Sequence, residues 1–403
     1  VLLKGPQLAS ARSALTLLSE AFLAAPPRAG RPTLEGDAGL ALVHAALEHA
    51  RPDAGHAQHA ARLVQRSIDA LSRAPLAPTL FEGYVGTALV VEVLCGDLDA
   101  ERDPNRRIDE ALSALVATGP WTGDSDLTSG LVGIGVYALE RLPRASATQL
   151  LTRVIDRLGE LARRRAPGLA WRSAPGRAPE ALRRTPDLRW DLGVAHGAPG
   201  VVGMLGRAVG ALGPGRARDK ALRLLSGAVA WLSAQELPRS SASRFPSVLP
   251  SASAGPARLA WCYGDAGIAA ALLVAARGAR NRGWERTALR IALAAAARPY
   301  ETSGVVDAGL CHGAAGVAHI FHRMSLTTGE RRLATAARTW FGHTLRLRTA
   351  SAPAIGGFSA WDTQARRWVA DSSFLTGAGG VALALVAATT DSDPSWDRAL
   401  LIS

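Results

Sequence analysis

The sequence predicts an all-α fold, a closed α/α toroid in which seven inner helices are ringed by seven outer ones. Two observations carry that expectation. The unit Gly-x-x-Gly followed by an apolar helix occurs seven times, its first glycines being Gly36, Gly83, Gly130, Gly197, Gly264, Gly313 and Gly377. Recurrence every 47 to 67 residues marks a repeat architecture, and the longer steps mean insertions on loops. Between these units run helical segments with charges on one face. Apolar helices belong inside and one-faced helices outside.

The elements follow in order. Leu8 to Ala25 has apolar residues at helical spacing, no glycine pair, and Pro26-Pro27 to stop it. Gly36 opens a helix of small and apolar residues through about Leu47, and Ala57 to Ser72 is amphipathic. The alternation continues, with charged-face helices at Arg106–Ala117, Ala147–Arg165, Arg216–Ala234, Glu285–Ala297 and Glu330–Arg348. If the first segment packs outside the last inner helix, the outer set is complete and the chain closes on itself. An open α-solenoid is the alternative, and the missing polar cap after repeat seven disfavours it. The first glycine of each pair is expected to take positive φ at a tight turn, and the second to let the inner helix approach its neighbours.

Residues 1–403 read as one toroid domain with insertions at about 165–190, 236–260 and 349–374. The inserts are rich in Pro, Ser and Arg or carry Gly356-Gly357, Trp361 and Trp368, and their placement beside the glycine turns suits them to wall a cleft. Hydrophobic residues at 48% exclude a disordered chain, and aromatics at 5% with few β-branched runs favour helix over sheet. The net charge of +12 reads as arginines on solvated helix faces or as attraction to an acidic partner. With no dense basic run interleaved with aromatics, no nucleic-acid partner is expected. Three cysteines make no disulfide framework, which fits a reducing compartment and a cytoplasmic protein. No signal peptide and no apolar run long enough to span a bilayer are present in the sequence.

In a ring, all glycine turns lie at one end, so residues just before them converge. Repeat 3 supplies Asp126, repeat 4 His196, repeat 5 Cys262, and repeat 6 Cys311 with His312. Two thiolates and one imidazole form a three-ligand zinc set with an open fourth position; His196 as fourth ligand would make the site structural. Cys95, mid-helix, reads as a buried apolar thiol. Zn²⁺ with two thiolates and a neutral imidazole is formally neutral, a poor Lewis acid that still strips the proton from an incoming thiol. The set therefore favours thiol activation over water activation, with His196 as general acid/base. The remaining histidines read as structural or solvated.

Trp261-Cys-Tyr-Gly-Asp-Ala-Gly267, Leu310-Cys-His-Gly-Ala-Ala-Gly316 and Ala195-His-Gly-Ala-Pro-Gly200 resemble the signature motifs of the lanthionine synthetase C-like cyclases, the family of the lantibiotic cyclases. The similarity runs through all seven repeats to the ending Trp396–Ile402. The resemblance implies an α/α toroid with one catalytic zinc on Cys262, Cys311 and His312, and addition of a peptide thiol to dehydroalanine or dehydrobutyrine. It also implies functional roles for Arg258, Tyr263 and Asp126: Arg258 steadying the enolate, Tyr263 donating a hydrogen bond near the zinc, and Asp126 orienting His196 or Arg258. Read alone, these are a solvated loop charge, a cleft wall and a helix N-cap. The implied partners are a dehydrated precursor peptide, a dehydratase and an export transporter, with a peripheral place in a membrane-associated modification complex. Two competing readings are a prenyltransferase-like zinc enzyme, disfavoured by the second ligand cysteine and the few aromatics, and a thiol-binding or scaffold member of the same fold. A free-standing cyclase is the simpler expectation over the C-terminal part of a larger synthetase, because Leu8 already begins the seventh outer helix.

Overall fold

The structure, a computed structural model, describes residues 1–25, 30–73, 75–96, 103–173, 190–250, 256–350 and 353–403. In chain order its α-helices are α1 (Gly5–Ala24), α2 (Asp37–Ala50), α3 (His56–Leu71), α4 (Tyr84–Cys95), α5 (Arg106–Ala117), α6 (Leu131–Glu140), α7 (Ala145–Leu161) and α8 (Ala198–Ala211). They continue with α9 (Arg216–Ser233), α10 (Asp265–Gly278), α11 (Arg282–Ala296), the single turn α12 (Tyr300–Ser303), α13 (Ala314–Thr328), α14 (Arg331–Arg346) and α15 (Ala378–Thr389). A 3-10 turn at Ser395–Leu400 ends the chain.

Each glycine pair opens a helix with few charges, and those helices are the buried ones. All of α15 is buried, as is α6 up to Leu139. The helices between them bury one stripe: α9 buries Ala221, Leu224, Leu225, Ala228, Val229, Trp231 and Leu232 and leaves Arg216 and Arg223 exposed. Each large apolar side chain so buried stabilises the fold by about 1.5–3 kcal/mol. Among the described residues the tally is seven apolar helices after glycine pairs and seven one-faced helices, as the sequence predicts.

Contacts group the chain into two compact units. The first is Val1–Ala77, Phe81–Leu94 and Pro299–Trp396; the second is Pro78–Leu80, Cys95–Arg298 and Asp397–Ser403. In the first, α13, α15 and α2 pack side by side, with α14 over α13, α3 over α2 and α1 over α15. The N-terminal helix thus lies against the last apolar helix, where closure requires it. In the second unit α6, α8 and α10 pack side by side under α7, α9 and α11, and α5 lies beside α7.

The interruptions of the rhythm are small antiparallel β pairs. β1 (Arg163–Arg165) pairs with β2 (Gly168–Ala170), β3 (Trp190–Asp191) with β4 (Val248–Leu249), and β5 (Ala360–Asp362) with β6 (Arg367–Val369). Three local expectations need correction. The segment read as helix to Arg165 ends at Leu161, where the chain turns into β1; Trp171, just past its partner β2, closes the helix end with an indole N–H donated to the Leu158 carbonyl at 2.8 Å. Cys95 is the half-buried last residue of α4 rather than a mid-helix core thiol. The glycine argument is treated with the site below. Pro26-Pro27 and parts of the three insertions lie outside the described residues. Among the described residues no helix is long and apolar enough to cross a membrane.

Candidate active site

The turns into the inner helices set the site. Gly197 has φ −130°, ordinary extended backbone, and among Gly36, Gly130, Gly197, Gly264, Gly313 and Gly377 only Gly264 is left-handed, at +114°. The constraint is space rather than φ. A Cβ at Gly264 would stand 2.0 Å from the Arg258 carbonyl oxygen, and one at Gly197 would stand 2.1 Å from that of Asp191. Gly39, Gly133, Gly200, Gly267, Gly316 and Gly380 make room in the same way, each for a carbonyl of the loop just upstream: a Cβ at Gly316 would lie 1.8 Å from the Leu310 oxygen. Glycine lets each loop fold flat onto the helix start, which fixes the residues between.

His196 precedes Gly197 and is a quarter exposed, with 24% of its side-chain surface open. Its Nδ1 lies 2.7 Å from Asp126 Oδ2 and 3.1 Å from Thr128 Oγ1. Asp126 is nearly buried, and its other oxygen accepts the Ser129 N–H at 2.8 Å and the Ser129 hydroxyl at 2.9 Å. Burial pushes the Asp126 carboxyl up, but the hydrogen bond and charge of His196 together with the Ser129 donors outweigh it and hold it below the usual carboxylate range. An anionic partner at Nδ1 favours the Nδ1–H tautomer and leaves Nε2 free to exchange a proton. Asp126 is therefore a partner of His196 as well as a turn brace, and it is not the N-cap of α6, which is Gly130.

Tyr263, directly after Cys262, tilts towards His196 with ring centroids 6.4 Å apart. Its hydroxyl donates to Asp191 Oδ1 at 3.2 Å. Asp191 is buried on β3, and its N–H donates to Ser173 Oγ at 3.1 Å. Asp124, Asp126, Arg172, Ser173, Asp191 and His196 line one small cleft. Arg258 is exposed, and its carbonyl is the one that Gly264 accommodates.

Cys262 is 8% exposed, while Cys311 and His312 are half-buried. One ligand atom from each, the two sulfurs and a ring nitrogen, lies within 4.8 Å of the other two. Among the described residues this is the group of three or more such side chains close enough to hold a metal ion. Trp261 steadies the chain before Cys262 by donating its indole N–H to the Leu400 carbonyl at 2.8 Å. On the other loop the Cys311 N–H donates to the Leu375 carbonyl at 2.9 Å, and Asp307 Oδ2 stands 3.9 Å from His312 Nε2.

Sequence reasoning missed Thr128, Ser129, Arg172, Ser173, Asp191 and Asp307. A signal for Asp191 and Asp307 was present. Six residues before the first glycine stand Asp124, Asp191, Asp307 and Asp371 in four of the turns, and Arg258 in a fifth. Asp307 accepts the Gly309 N–H and Asp371 the Ser373 N–H, each two residues on, so the register marks turn-bracing carboxylates.

All seven residues singled out from the sequence thus lie in or beside the turns into the inner helices. The structure pairs His196 with Asp126, sets Tyr263 beside His196, and gathers Cys262, Cys311 and His312; Arg258 stands exposed at the head of its turn. A helical repeat protein presenting a thiol–imidazole cluster and a separate His–Asp pair is the class that fold and site define. A family model described as lanthionine synthetase C-like protein matches residues 33–401, and the chain belongs to that family. Among solved structures, a nisin cyclase is similar over 98% of this chain and 97% of its own, with a TM-score of 0.74 and 20% identity. The likeness shows the fold, the helical toroid of the family. No curated protein matches the sequence.

Proposed function

We propose that this chain is a zinc-dependent lanthionine synthetase, which closes thioether rings in a dehydrated precursor peptide. The observation that carries the reading is the convergence of Cys262, Cys311 and His312. Two sulfurs and an imidazole nitrogen within 4.8 Å of one another are close enough to take up one metal ion, and they are the ligand types of zinc sites. A donor set of two thiolates and one imidazole selects zinc over hard cations. When bound there, zinc supplies a deprotonated, nucleophilic substrate thiol at neutral pH.

The chain's own residues do the rest. The thiolate sulfur forms a bond to the β-carbon of dehydroalanine or dehydrobutyrine, the C=C π pair moves into an enolate, and a proton arrives at the α-carbon. The product is an isomer of the substrate, with no redox partner required. His196, held through Nδ1 by Asp126, delivers that proton from Nε2 and takes up the one shed by the thiol. Arg258, exposed at the head of its turn, supplies the cation that stabilises the enolate oxygen. Tyr263, tied by its hydroxyl to Asp191, walls the site between Cys262 and His196.

Ring closure leaves mass unchanged, so the test counts thiols. Purified protein is incubated with a dehydrated, cysteine-bearing peptide, and the peptide is then treated with a thiol alkylator. Loss of the alkylatable thiol with wild type, and its retention with Cys311→Ala and His196→Ala, is expected. A thiol that stays fully alkylatable in a zinc-loaded wild type, across several peptides, leaves the thiol-binding or scaffold reading in its place.

A further inference from the structure

The position directly before the first glycine of a turn holds His196 in repeat 4 and the ligand His312 in repeat 6; in repeat 1 it holds Glu35. Its side chain does not open to the surface at its tip: carboxyl oxygen Oε1 is sealed from solvent. The other oxygen, Oε2, accepts the N–H of Leu375 at 3.3 Å. The same residue's carbonyl accepts two N–H groups, from Leu310 at 2.8 Å and from Cys311 at 2.9 Å. Glu35 is itself anchored, its own N–H donating to the Phe81 carbonyl at 3.2 Å. One residue, Leu375, therefore stands between a desolvated carboxyl and the backbone of a metal-ligand loop.

We propose that Glu35 is a positioning residue for the metal centre: by accepting the Leu375 N–H it fixes the carbonyl that holds Leu310 and Cys311, and so aims the Cys311 sulfur and the His312 ring that follows. The physics is that of an outer hydrogen bond orienting a ligand. Cys311 and His312 sit on a loop, where glycines on both sides, Gly309 and Gly313, give the backbone freedom. The two bonds to Leu375 remove part of that freedom, and they hold only while Leu375 keeps its place. Its N–H reaches no other acceptor among the described residues, so losing Glu35 Oε2 removes the acceptor that holds it. Glu35 belongs to the first turn and Leu375 to the last, so the contact also staples the two ends of the repeat series beside the ligands.

This inference rests on the metal reading of Cys311 and His312, and the test separates the two. Zinc affinity of the folded full chain is measured by competition with a chromogenic chelator for wild type, Glu35→Gln and Glu35→Leu. Hydrogen exchange of the Leu375 and Cys311 amides is measured on the metal-free proteins. Glu35→Gln keeps an acceptor and should bind zinc within a few-fold of wild type. Glu35→Leu should bind about tenfold or more weakly, with faster exchange at both amides. Should Glu35→Leu not fold, Glu35→Ala reads the same two quantities. Wild-type affinity and unchanged exchange in the acceptor-free variant would overturn the proposal, as would a Glu35→Gln loss equal to that of Glu35→Leu. A wild type that binds no zinc would sink the metal reading, and the exchange rates would still decide the role of Glu35.

Discussion

His196 and Asp126 stand 70 residues apart in sequence and 2.7 Å apart in the structure. The imidazole is a quarter exposed and the carboxylate nearly buried, so the pair keeps Nδ1 engaged while the ring lines the cleft. Asp126→Asn keeps the shape but removes the charge that selects the tautomer. Ring closure should slow by about 10²-fold or more with zinc content unchanged, checked by thiol-loss kinetics beside metal analysis. Stability should change in acid as well. The carboxyl is held below its ordinary range, so its contribution is present above the unfolded value near 4 and fades as pH falls through the lower folded value. The variant should lack that part of the acid slope.

A second pH effect comes from three histidines in the first unit that carry no assigned chemistry. His44 Nδ1 lies 2.8 Å from His56 Nδ1, His56 Nε2 lies 2.7 Å from Ser19 Oγ, and His59 stacks on His44. Burial, followed by the neighbouring charge of His56, His59 and Arg62, pushes His44 down to about 3. A lowered folded value means stability present above the unfolded pKa near 6.5 and lost as pH falls towards 3. His44→Phe should flatten the decline of the melting temperature between pH 6.5 and 4, with little effect on zinc content.

Glu35 predicts the opposite slope. Burial, opposed by the Leu375 hydrogen bond and reinforced by Asp371 and Glu82, pushes it up to about 8. A raised folded value means stability present below the unfolded pKa near 4.5 and lost as pH rises through 8. Glu35→Gln, neutral at every pH, should therefore melt higher than wild type at pH 8–9, by a few degrees and on the order of 2–4 kcal/mol, and about level with it at pH 5. Thermal melts across that range check the crossover.

In the second unit Arg141 is fully buried. It is bound to Asp109 through Nε at 3.2 Å and through a second nitrogen at 2.7 Å, and it is paired with Asp103. Tyr137 and Ser146 donate to the same Asp109 carboxylate at 2.6 and 2.9 Å. Removing one member of such a network leaves charge buried and unpaired, at a cost of about 3–5 kcal/mol. Arg141→Ala should lower the denaturant midpoint strongly, and zinc affinity in the remaining folded fraction should stay at the wild-type level.

The repeat was legible because it is written in the types of residue that the turns demand. Loops that fold within 1.8–2.5 Å of a hypothetical Cβ admit only glycine, so the turns announce themselves, although sequence alone suggested φ where the constraint is backbone clearance. Cys262, Cys311 and His312 were legible because their chemistry is rare and their register shared. The braces were harder to read. Asp307 looks like any loop aspartate until the backbone shows that it serves the Gly309 and Trp361 N–H groups, Asp191 until the Tyr263 hydroxyl is seen to donate to it, and Asp37 reads as a turn residue until Arg66 of α3 closes on it with two bonds of 2.7 and 2.8 Å. The β pairs escaped notice because strands of two or three residues leave no period to detect. The role of Leu375 is written entirely in backbone atoms, and no side-chain pattern reports it.

The central claim is that a metal held by Cys262, Cys311 and His312 receives the substrate thiol, and zinc K-edge absorption tests it most directly. Wild-type protein is measured alone and again with a dehydrated peptide that carries one cysteine. The prediction is stoichiometric zinc with two sulfur neighbours near 2.3 Å and one nitrogen, rising to three sulfurs when the peptide is added. Zinc absent from the protein as isolated without chelators, or a sulfur count that stays at two while rings close, would contradict it.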